Sequence, residues 1–223
     1  MYETEIQMLR ELLAVTVKPI NPQPVLKDSP FVSQWLSGHG LEVGPSSSND
    51  FMLKDCVKLS LPEWEDFKTH AEWQFLFSGT FLVPDIWADM DALPYKDSKF
   101  DYVFSSHVLE HSPNLIRTLR EFARVTRKGG IVLTILPKRD ALWQDRERPI
   151  TPLSHFVEDF EQDLTAETHP RDPKYTGPRG HYHVFTPDSF IEVAKWTGLF
   201  TVEAVQDPDE KIGNGFTVVL RVK

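Results

Sequence analysis

Two pairs of histidines are the residues of this sequence best suited to acid–base chemistry. His107 and His111 lie four residues apart, and His181 and His183 flank a tyrosine in the stretch HYHVF. Histidine changes its charge near neutral pH, so it can accept or donate a proton during a reaction. If the second pair is in an extended segment, both of its side chains point the same way. We predict His111 and His183 as the catalytic residues.

These histidines also have other interpretations. A single histidine is more often a hydrogen-bonding or surface residue than a base, and His111 is equally well placed to cap a helix. A metal site built from His107, His111, His181 and His183 is another alternative, because imidazole is a common metal ligand. We do not expect one, because no pair shows a specific ligand spacing.

Other reactive groups give weaker signals. Ser46, Ser47 and Ser48 lack the flanking pattern of a hydrolase nucleophile, and helix capping explains them better. No GxGxxG fingerprint of a dinucleotide site is present,. Arg146 and Arg148 could bind an anionic substrate with a guanidinium group, although a solvated charged loop is the more ordinary interpretation.

The elements that must position these residues are clearest in residues 89–137. This stretch reads as an acidic loop, a strand, a polar loop, a helix near 113–127, a glycine turn and a second strand. Further strands are predicted at 40–44, 55–60 and 81–88, a helix at 62–80, and a hairpin formed by 200–206 and 215–222. Alternating strands and helices indicate an α/β fold, a Rossmann-like, mostly parallel seven-stranded sheet with helices on both faces and a C-terminal antiparallel β-hairpin.

The remaining segments flank this sheet in what we predict to be a single domain over residues 1–223. Residues 1–37 form an N-terminal arm that we expect to pack on the domain or to mediate a homodimer. Residues 138–185 are charged and proline-containing, and we predict a lid over the active site, because long insertions in compact domains are usually functional or disordered.

Composition excludes several classes of protein. The chain has 223 residues and a formal net charge of -9, so a nucleic-acid backbone would be repelled. No apolar run approaches the ~18 residues that a membrane-spanning helix needs. A single cysteine excludes a disulfide framework,. We therefore expect a cytoplasmic protein without nucleic-acid or membrane partners.

Four pieces of sequence, in this order and at this spacing, resemble the class I S-adenosylmethionine-dependent methyltransferases. They are LEVG at 41–44, DMDALPY at 89–95, FDYV at 100–103 with VLEH at 108–111, and RVTRKGG at 124–130. The resemblance covers residues 36–137 well and the C-terminal helix and hairpin more loosely. It implies S-adenosylmethionine as the cofactor.

The resemblance also assigns roles to individual residues. It implies that Glu42 helps to hold the methionine amino group and that Asp89 and Met90 contact the adenine. The remaining cofactor contacts that it implies are backbone or short side chains after the first and fourth strands, at Gly44, Pro45, Ser46, Ser105, Ser106 and His107. The turn at 44–48 departs from the family because it holds one glycine. No obvious acid for the ribose stands at the end of the second strand, where Leu59-Ser60-Leu61-Pro62 is followed by Glu63 and Glu65 just beyond.

Together these observations predict an enzyme that moves a methyl group from S-adenosylmethionine to a small polar molecule. We expect an oxygen acceptor, such as a sugar or a related metabolite. The departures leave two alternatives. One is a methyltransferase-fold protein that binds the cofactor or a partner without catalysis, and the other is an accessory subunit that binds no cofactor.

Overall fold

The chain folds around one sheet, seen here in a computed structural model that describes residues 2–20, 29–47, 51, 53–60, 64–143, 145–170 and 180–223. The strands are β1 (Gly40–Val43), β2 (Cys56–Ser60), β3 (Ile86–Trp87), β4 (Phe100–Ser106), β5 (Thr126–Pro137), β6 (Phe200–Gln206) and β7 (Gly215–Val222). The α-helices are α1 (Glu3–Thr16), α2 (Pro30–Ser33), α3 (Trp64–Ser78), α4 (Leu115–Val125), α5 (Leu153–Glu161) and α6 (Pro187–Trp196).

The seven strands lie in the order β3-β2-β1-β4-β5-β7-β6. β1 pairs in parallel with β2 and β4, and β4 pairs in parallel with β5. β7 runs antiparallel to both β5 and β6. The predicted Rossmann-like fold with a closing hairpin is therefore confirmed. Because strand addition changes direction between β1 and β4, a crevice opens where their carboxyl ends meet, which is where ligands bind in such sheets.

Helix α4 shows how one face of the sheet is covered. Its side chains at Leu115, Ile116, Leu119 and Phe122 are completely buried. Each such burial contributes about 1.5–3 kcal/mol before the cost of ordering the chain is counted. The helix begins at Asn114, whose side chain accepts a hydrogen bond from the backbone N–H of Arg117. Helices α5 and α6 pack on the same face and share this core.

The N-terminal arm covers the other face and one end of the sheet. Val32 and Leu36 pack with Phe104 on the face opposite α4. Leu9 and Leu13 of α1 pack with α3 in a separate apolar cluster. The arm thus buries part of its apolar surface on its own domain, whereas Met8, Leu12 and Val15 are exposed. The predicted homodimer through the arm stays a prediction. Among the described residues, no helix is both long enough and apolar enough to cross a membrane.

Two local predictions are wrong. β3 spans only Ile86–Trp87 rather than residues 81–88, because Pro84 interrupts the stretch and cannot donate a backbone hydrogen bond. The helix-capping interpretation of the serines after β1 also fails at Ser47, because no helix is present in the part of residues 44–55 that the structure describes. Ser47 therefore caps no helix there, and its hydroxyl donates instead to the carbonyl oxygen of Thr80 at 2.9 Å.

Residues 138–185 leave the sheet after β5 and return beside it. Lys138 forms a parallel β-bridge with Phe185, so the two ends of the insertion lie together. Within it, α5 buries Phe156 and Asp159. The insertion therefore begins and ends at the carboxyl edge of the sheet, beside the crevice between β1 and β4.

Candidate functional site

The first part of the site is the edge where β1 and β4 end side by side. Val43 pairs in register with Ser105, and β4 continues by one residue, Ser106, which pairs with Ile135 of β5. Gly44 has a φ of 69°, and a Cβ on it would lie 2.4 Å from Cγ2 of Val108. Only glycine fits such a position without strain. The segment after β4 therefore crosses directly over the turn after β1.

Glu42 places a buried carboxylate just before this turn. Its side chain is 2% exposed, and its Oε2 lies 3.5 Å from Nζ of Lys58, its register partner on β2. A buried carboxylate needs a compensating cation or several hydrogen bonds. The end of β1 thus carries a negative charge that faces an ammonium group.

The three residues at the end of β4 have different environments. Ser105 is buried and its hydroxyl donates to Oγ1 of Thr134 at 3.0 Å, whereas Ser106 is half-buried. His107 has a φ of 53°, and its Nε2 is buried with no hydrogen-bond partner among the described residues. Burial lowers the pKa of His107 to about 4, so the ring is neutral at neutral pH.

Helix α3 holds the turn after β1. Nε2 of His70 lies 3.4 Å from the carbonyl oxygen of Pro45. The backbone N–H of Ser47 donates to Oε1 of Gln74 at 2.7 Å, and Ser46 between them is half-buried. Fixed side-chain bonds thus hold a turn that has a single glycine, and the ends of the turn are positioned by a neighbouring helix.

The loop after β3 lies beside the end of β2. The backbone N–H of Ala88 donates to the carbonyl oxygen of Ser60 at 3.0 Å. Asp89 is exposed, and Met90 is half-buried against the main core. This loop is therefore next to the strand end where a ribose would be held, but Glu63 lies outside the described residues.

The second part of the site comes from the insertion. Nδ1 of His181 donates to Oδ2 of Asp145, because a carboxylate can only accept. Nη1 of Arg148 donates to the other oxygen of Asp145 at 2.8 Å. The same guanidinium donates to the backbone carbonyls of His181 and Tyr182, at 2.9 Å each. The imidazole is thus held in one tautomer, in which Nε2 is the nitrogen that can accept a proton.

Glu110 connects this histidine to the end of β4. Its side chain is 1% exposed, and its Oε1 lies 3.8 Å from Nδ1 of His107, 3.9 Å from Nε2 of His111 and 4.0 Å from Nε2 of His181. Burial raises the pKa of Glu110 to about 7. We refer to His107, Glu110, His111, Asp145 and His181 as the Glu110 cluster.

Three further histidines surround a second buried carboxylate. Oδ2 of Asp159 lies 2.9 Å from Nε2 of His183 and 3.6 Å from Nε2 of His155, and its Oδ1 lies 3.4 Å from Nε2 of His169. The side chains of Asp159 and His183 are 2% and 0% exposed. We refer to these four residues as the Asp159 cluster.

A cavity of about 270 Å³ lies between the two clusters. His155 and His169 line it from the Asp159 cluster, whereas His181 lines it beside Tyr182 and Arg148. Imidazole, phenol and guanidinium groups can all form hydrogen bonds. The cavity is thus slightly smaller than typical ligand pockets, and its lining offers polar groups to a small polar molecule.

The structure divides the histidines that the sequence singled out. His111 and His181 come together, with ring centroids 4.9 Å apart, whereas His183 belongs to the other cluster. Sequence reasoning did not single out four residues of the two clusters, which are Asp145, His155, Asp159 and His169. The only usable sequence signal was the i, i+4 spacing of His155 and Asp159 on one helix.

Comparison with known proteins gives one family match. Residues 57–134 match the family described as methyltransferase domain. Two curated relatives, both described as probable S-adenosylmethionine-dependent methyltransferases, come from two strains of Mycobacterium tuberculosis. Each is 35% identical over 126 residues, which is 56% of this chain. The chain spans only 39% of the length of these relatives.

Solved structures share the fold. A Methanosarcina mazei protein titled as an S-adenosylmethionine-dependent methyltransferase has a TM-score of 0.55 and 18% identity over 88% of this chain and 99% of its own. An Aquifex aeolicus methyltransferase has a TM-score of 0.52 and 14% identity over 99% of this chain and 98% of its own. A [4+2]-cyclase, SpnF, has a TM-score of 0.51 and 15% identity over 99% of this chain and 94% of its own. At these identities the likeness shows the fold alone, and function must be argued from the site.

Proposed function

We propose that this chain is a class I S-adenosylmethionine-dependent methyltransferase, which its family match and its curated relatives support, and that it methylates a hydroxyl oxygen of a small polar molecule bound in the cavity between the two clusters. One observation carries this proposal. The Glu110 cluster runs from His107, at the carboxyl end of β4, to His181, on the cavity wall. Titratable side chains, spaced 3.8–4.0 Å apart at their nearest atoms, therefore lie between the end of β4 and the cavity.

The described residues fit the methionine end of S-adenosylmethionine. The missing Cβ at Gly44 lets Val108 pack directly against the turn after β1, which brings this turn and the segment after β4 together at the crevice. The buried carboxylate of Glu42 suits the ammonium group of the cofactor, and the backbone at Pro45 and Ser46 would border it. Asp89 and Met90 would lie at the adenine, and Ser106 and His107 near the reactive end. When bound, this cofactor supplies an electrophilic methyl group.

His181 is the best-supported base for such a reaction. A hydroxyl acceptor becomes a better nucleophile when a positioned base accepts its proton, which typically contributes about 10²–10⁴-fold in rate. His181 combines a carboxylate partner on Nδ1 with a position on the cavity wall. Its Nε2 lies 4.0 Å from Oε1 of Glu110, which offers a second proton carrier.

The two histidines predicted as catalytic residues from the sequence have other roles in this proposal. His111 packs its ring on His181, edge to face, and would position that ring. His183 is completely buried, so it does not reach an acceptor. The base is thus assigned two residues away from His183, on the same HYH segment.

The lining of the cavity supports a small hydroxylated acceptor, such as a sugar. Arg148 is already bound to Asp145 and to two carbonyl groups, so its charge is compensated within the protein. The nearby imidazole and phenol groups favour hydroxyl groups, which both donate and accept. Positioning the acceptor against the methyl group is the main requirement of an in-line substitution.

Calorimetry and turnover together test this function. S-adenosylmethionine and S-adenosylhomocysteine are titrated into the protein, and release of S-adenosylhomocysteine is then followed with a panel of sugars, other alcohols and amines. We expect saturable binding of both cofactor forms and turnover that is selective for one class of alcohol. Selective turnover with amines would contradict the oxygen acceptor. Absence of cofactor binding at millimolar ligand would contradict the enzyme.

A non-catalytic cofactor binder is the second candidate, and the turn after β1 favours it. This turn has one glycine, no described helix follows it, and Ser47 is bonded to α3 instead. Binding of S-adenosylhomocysteine without turnover across the whole acceptor panel, by wild-type protein and by His181→Gln alike, would favour this candidate.

A further inference from the structure

We propose that the Asp159 cluster is a binding site for a divalent transition metal, with Zn²⁺ as the ion it fits best and with His155, Asp159, His169 and His183 as the four ligands. One potential ligand atom from each residue lies within 4.8 Å of the others. Three imidazoles and one carboxylate form a donor set typical of Zn²⁺. The inference concerns metal binding and does not rest on methyl transfer.

Distances around Asp159 support this assignment. The three contacts from its carboxylate to imidazole nitrogens are 2.9, 3.4 and 3.6 Å. Two ligands that are each about 2.0–2.1 Å from a tetrahedral Zn²⁺ are separated by slightly more than 3 Å. The cluster therefore needs only small side-chain movements to reach that geometry.

The proton positions at His169 give an independent argument. Its Nδ1 lies 3.1 Å from the carbonyl oxygen of Pro170, and a carbonyl only accepts, so this nitrogen carries the proton. In the neutral ring, Nε2 then directs a lone pair at Oδ1 of Asp159, 3.4 Å away. Two acceptors that face each other inside a protein repel, and a bound cation between them removes the repulsion.

Burial completes the argument. Nδ1 of His183 is buried without a hydrogen-bond partner among the described residues, and the side chains of Asp159 and His183 are 2% and 0% exposed. Imidazole and carboxylate groups bind metal in their deprotonated forms.

A metal here would have a structural role. Four protein ligands close a zinc site, whereas a catalytic zinc keeps one position open. The ligands come from α5, from the segment that follows it and from the segment that returns to the sheet. The ion would therefore fasten three separate stretches of the insertion beside the cavity.

The test measures metal binding by the full-length protein. Metal content is determined after purification, the protein is stripped with a chelator, and Zn²⁺ and Co²⁺ are titrated with calorimetry and visible absorption. We expect one Zn²⁺ per chain, a tetrahedral Co²⁺ spectrum, and a melting temperature that is at least about 5 °C higher with Zn²⁺ than without it.

Variants locate the site. His155→Gln changes the most exposed of the four ligands, so folding should survive, and Zn²⁺ affinity should fall by more than about 100-fold, beyond the loss expected for a residue that only supports a ligand. Glu110→Gln is the matched control, because Glu110 belongs to the other histidine–carboxylate group that could hold a metal. Its Zn²⁺ affinity should match that of the wild type.

Two outcomes would overturn the proposal. One is the absence of saturable Zn²⁺ binding by stripped wild-type protein whose circular dichroism is native. The other is binding that Glu110→Gln weakens and His155→Gln leaves unchanged, which would assign the metal to the Glu110 cluster.

Discussion

The two halves of the candidate site are built in different ways. The cofactor edge is made of backbone at the ends of β1 and β4, and its essential feature is a glycine that lets two segments cross. The acceptor side is made of charged and imidazole side chains from the insertion, paired across 36 residues between Asp145 and His181. Strand ends can be recognised in a local stretch of sequence, whereas such pairs cannot. If the first half binds the cofactor as proposed, the second half can change its substrate without changing the fold.

The largest expected effect is a loss of kcat that leaves cofactor affinity unchanged, which distinguishes the acceptor side from the cofactor edge. His181→Gln removes the proposed base, so kcat should fall by about 10²–10⁴-fold. The affinity for S-adenosylhomocysteine should stay within about twofold of wild type, because the acceptor side is not needed for it. Steady-state kinetics and calorimetry measure the two quantities.

The control for this variant is His39→Gln. His39 pairs with Asp55 at 2.8 Å, at the amino end of β1, far along the strand from the crevice. Its activity should be that of the wild type. If His181→Gln retains full kcat, then His181 is not the base, and the contrast between the two halves would need another acceptor group.

The next largest effect tests the cofactor edge through its backbone. Gly44→Ala places a Cβ 2.4 Å from Val108 at a φ of 69°. The left-handed backbone alone costs about 1–2 kcal/mol for a non-glycine residue, and the clash adds to it. We expect lower thermal stability and a loss of at least about tenfold in cofactor affinity, equivalent to 1.4 kcal/mol.

Two further variants separate the effect of backbone strain from the effect of the clash with Val108. Gly198→Ala has a similar φ of 73° but meets nothing within 4 Å, so it should lose stability and keep cofactor affinity. In Gly44→Ala with Val108→Ala, the obstructing methyl group is gone, and part of the stability should return. If both glycine variants lose equal stability and neither loses affinity, the crossing at Gly44 has no role in cofactor binding.

A third prediction concerns the residue that connects the halves. Burial raises the pKa of Glu110 from 4.5 to about 7, so the folded protein binds more protons than the unfolded chain between these values. The free energy of unfolding should therefore fall as pH rises from about 4.5 to 7. In Glu110→Gln this contribution is absent, and the variant should be more stable than wild type at neutral pH by roughly 2–3 kcal/mol.

Urea unfolding of both proteins at several pH values measures this difference. His107 titrates in the same range, with its pKa lowered to about 4, and it acts in the opposite direction in both proteins. Because Nδ1 of His107 lies 3.8 Å from Oε1 of Glu110, the difference between wild type and variant reports Glu110 together with its effect on His107. A difference that is independent of pH would contradict the raised pKa.

The contrast between the halves also explains how far sequence reasoning reached. Period-2 and helical patterns predicted β4, α4 and β5 because their buried residues recur locally, as at Leu115, Leu119 and Phe122. The same reasoning interpreted the serines after β1 as helix caps because serines often cap helices. Ser47 bonds instead to Gln74 of α3 and to Thr80 just beyond it, which are contacts between distant parts of the chain.

The acceptor side was harder because its geometry depends on partners that are distant in sequence. His181 and His183 lie two residues apart, yet they bind different carboxylates, Asp145 and Asp159. Nothing in the alternation of HYH indicates this, because the identity of each partner depends on how the insertion folds. The i, i+4 spacing of His155 and Asp159 was visible, but a third and a fourth ligand come from elsewhere.

The smallest expected effect concerns Arg117, which links the loop after β3 to the insertion at a distance from the proposed reaction. Arg117 of α4 binds Asp91, in the loop that follows β3, with Nη2 2.6 Å from Oδ2. The same side chain binds Asp163 at the end of α5 and donates to the carbonyl oxygen of Leu164 at 3.3 Å. Arg117→Met keeps the aliphatic stem and removes these bonds, so we expect a loss of about 1 kcal/mol in the free energy of unfolding.

The functional consequence of this link is a coupling between ligands. If Arg117 couples the loop after β3 to the insertion, then binding of the cofactor should strengthen binding of the acceptor. The acceptor should strengthen binding of the cofactor by the same factor. Arg117→Met should reduce this coupling measured by calorimetry. Asp163→Asn is the control, because Asp163 is 80% exposed and its pair should be worth less than about 0.5 kcal/mol. Unchanged coupling in Arg117→Met would mean that the two halves bind their ligands independently, each held by its own part of the fold.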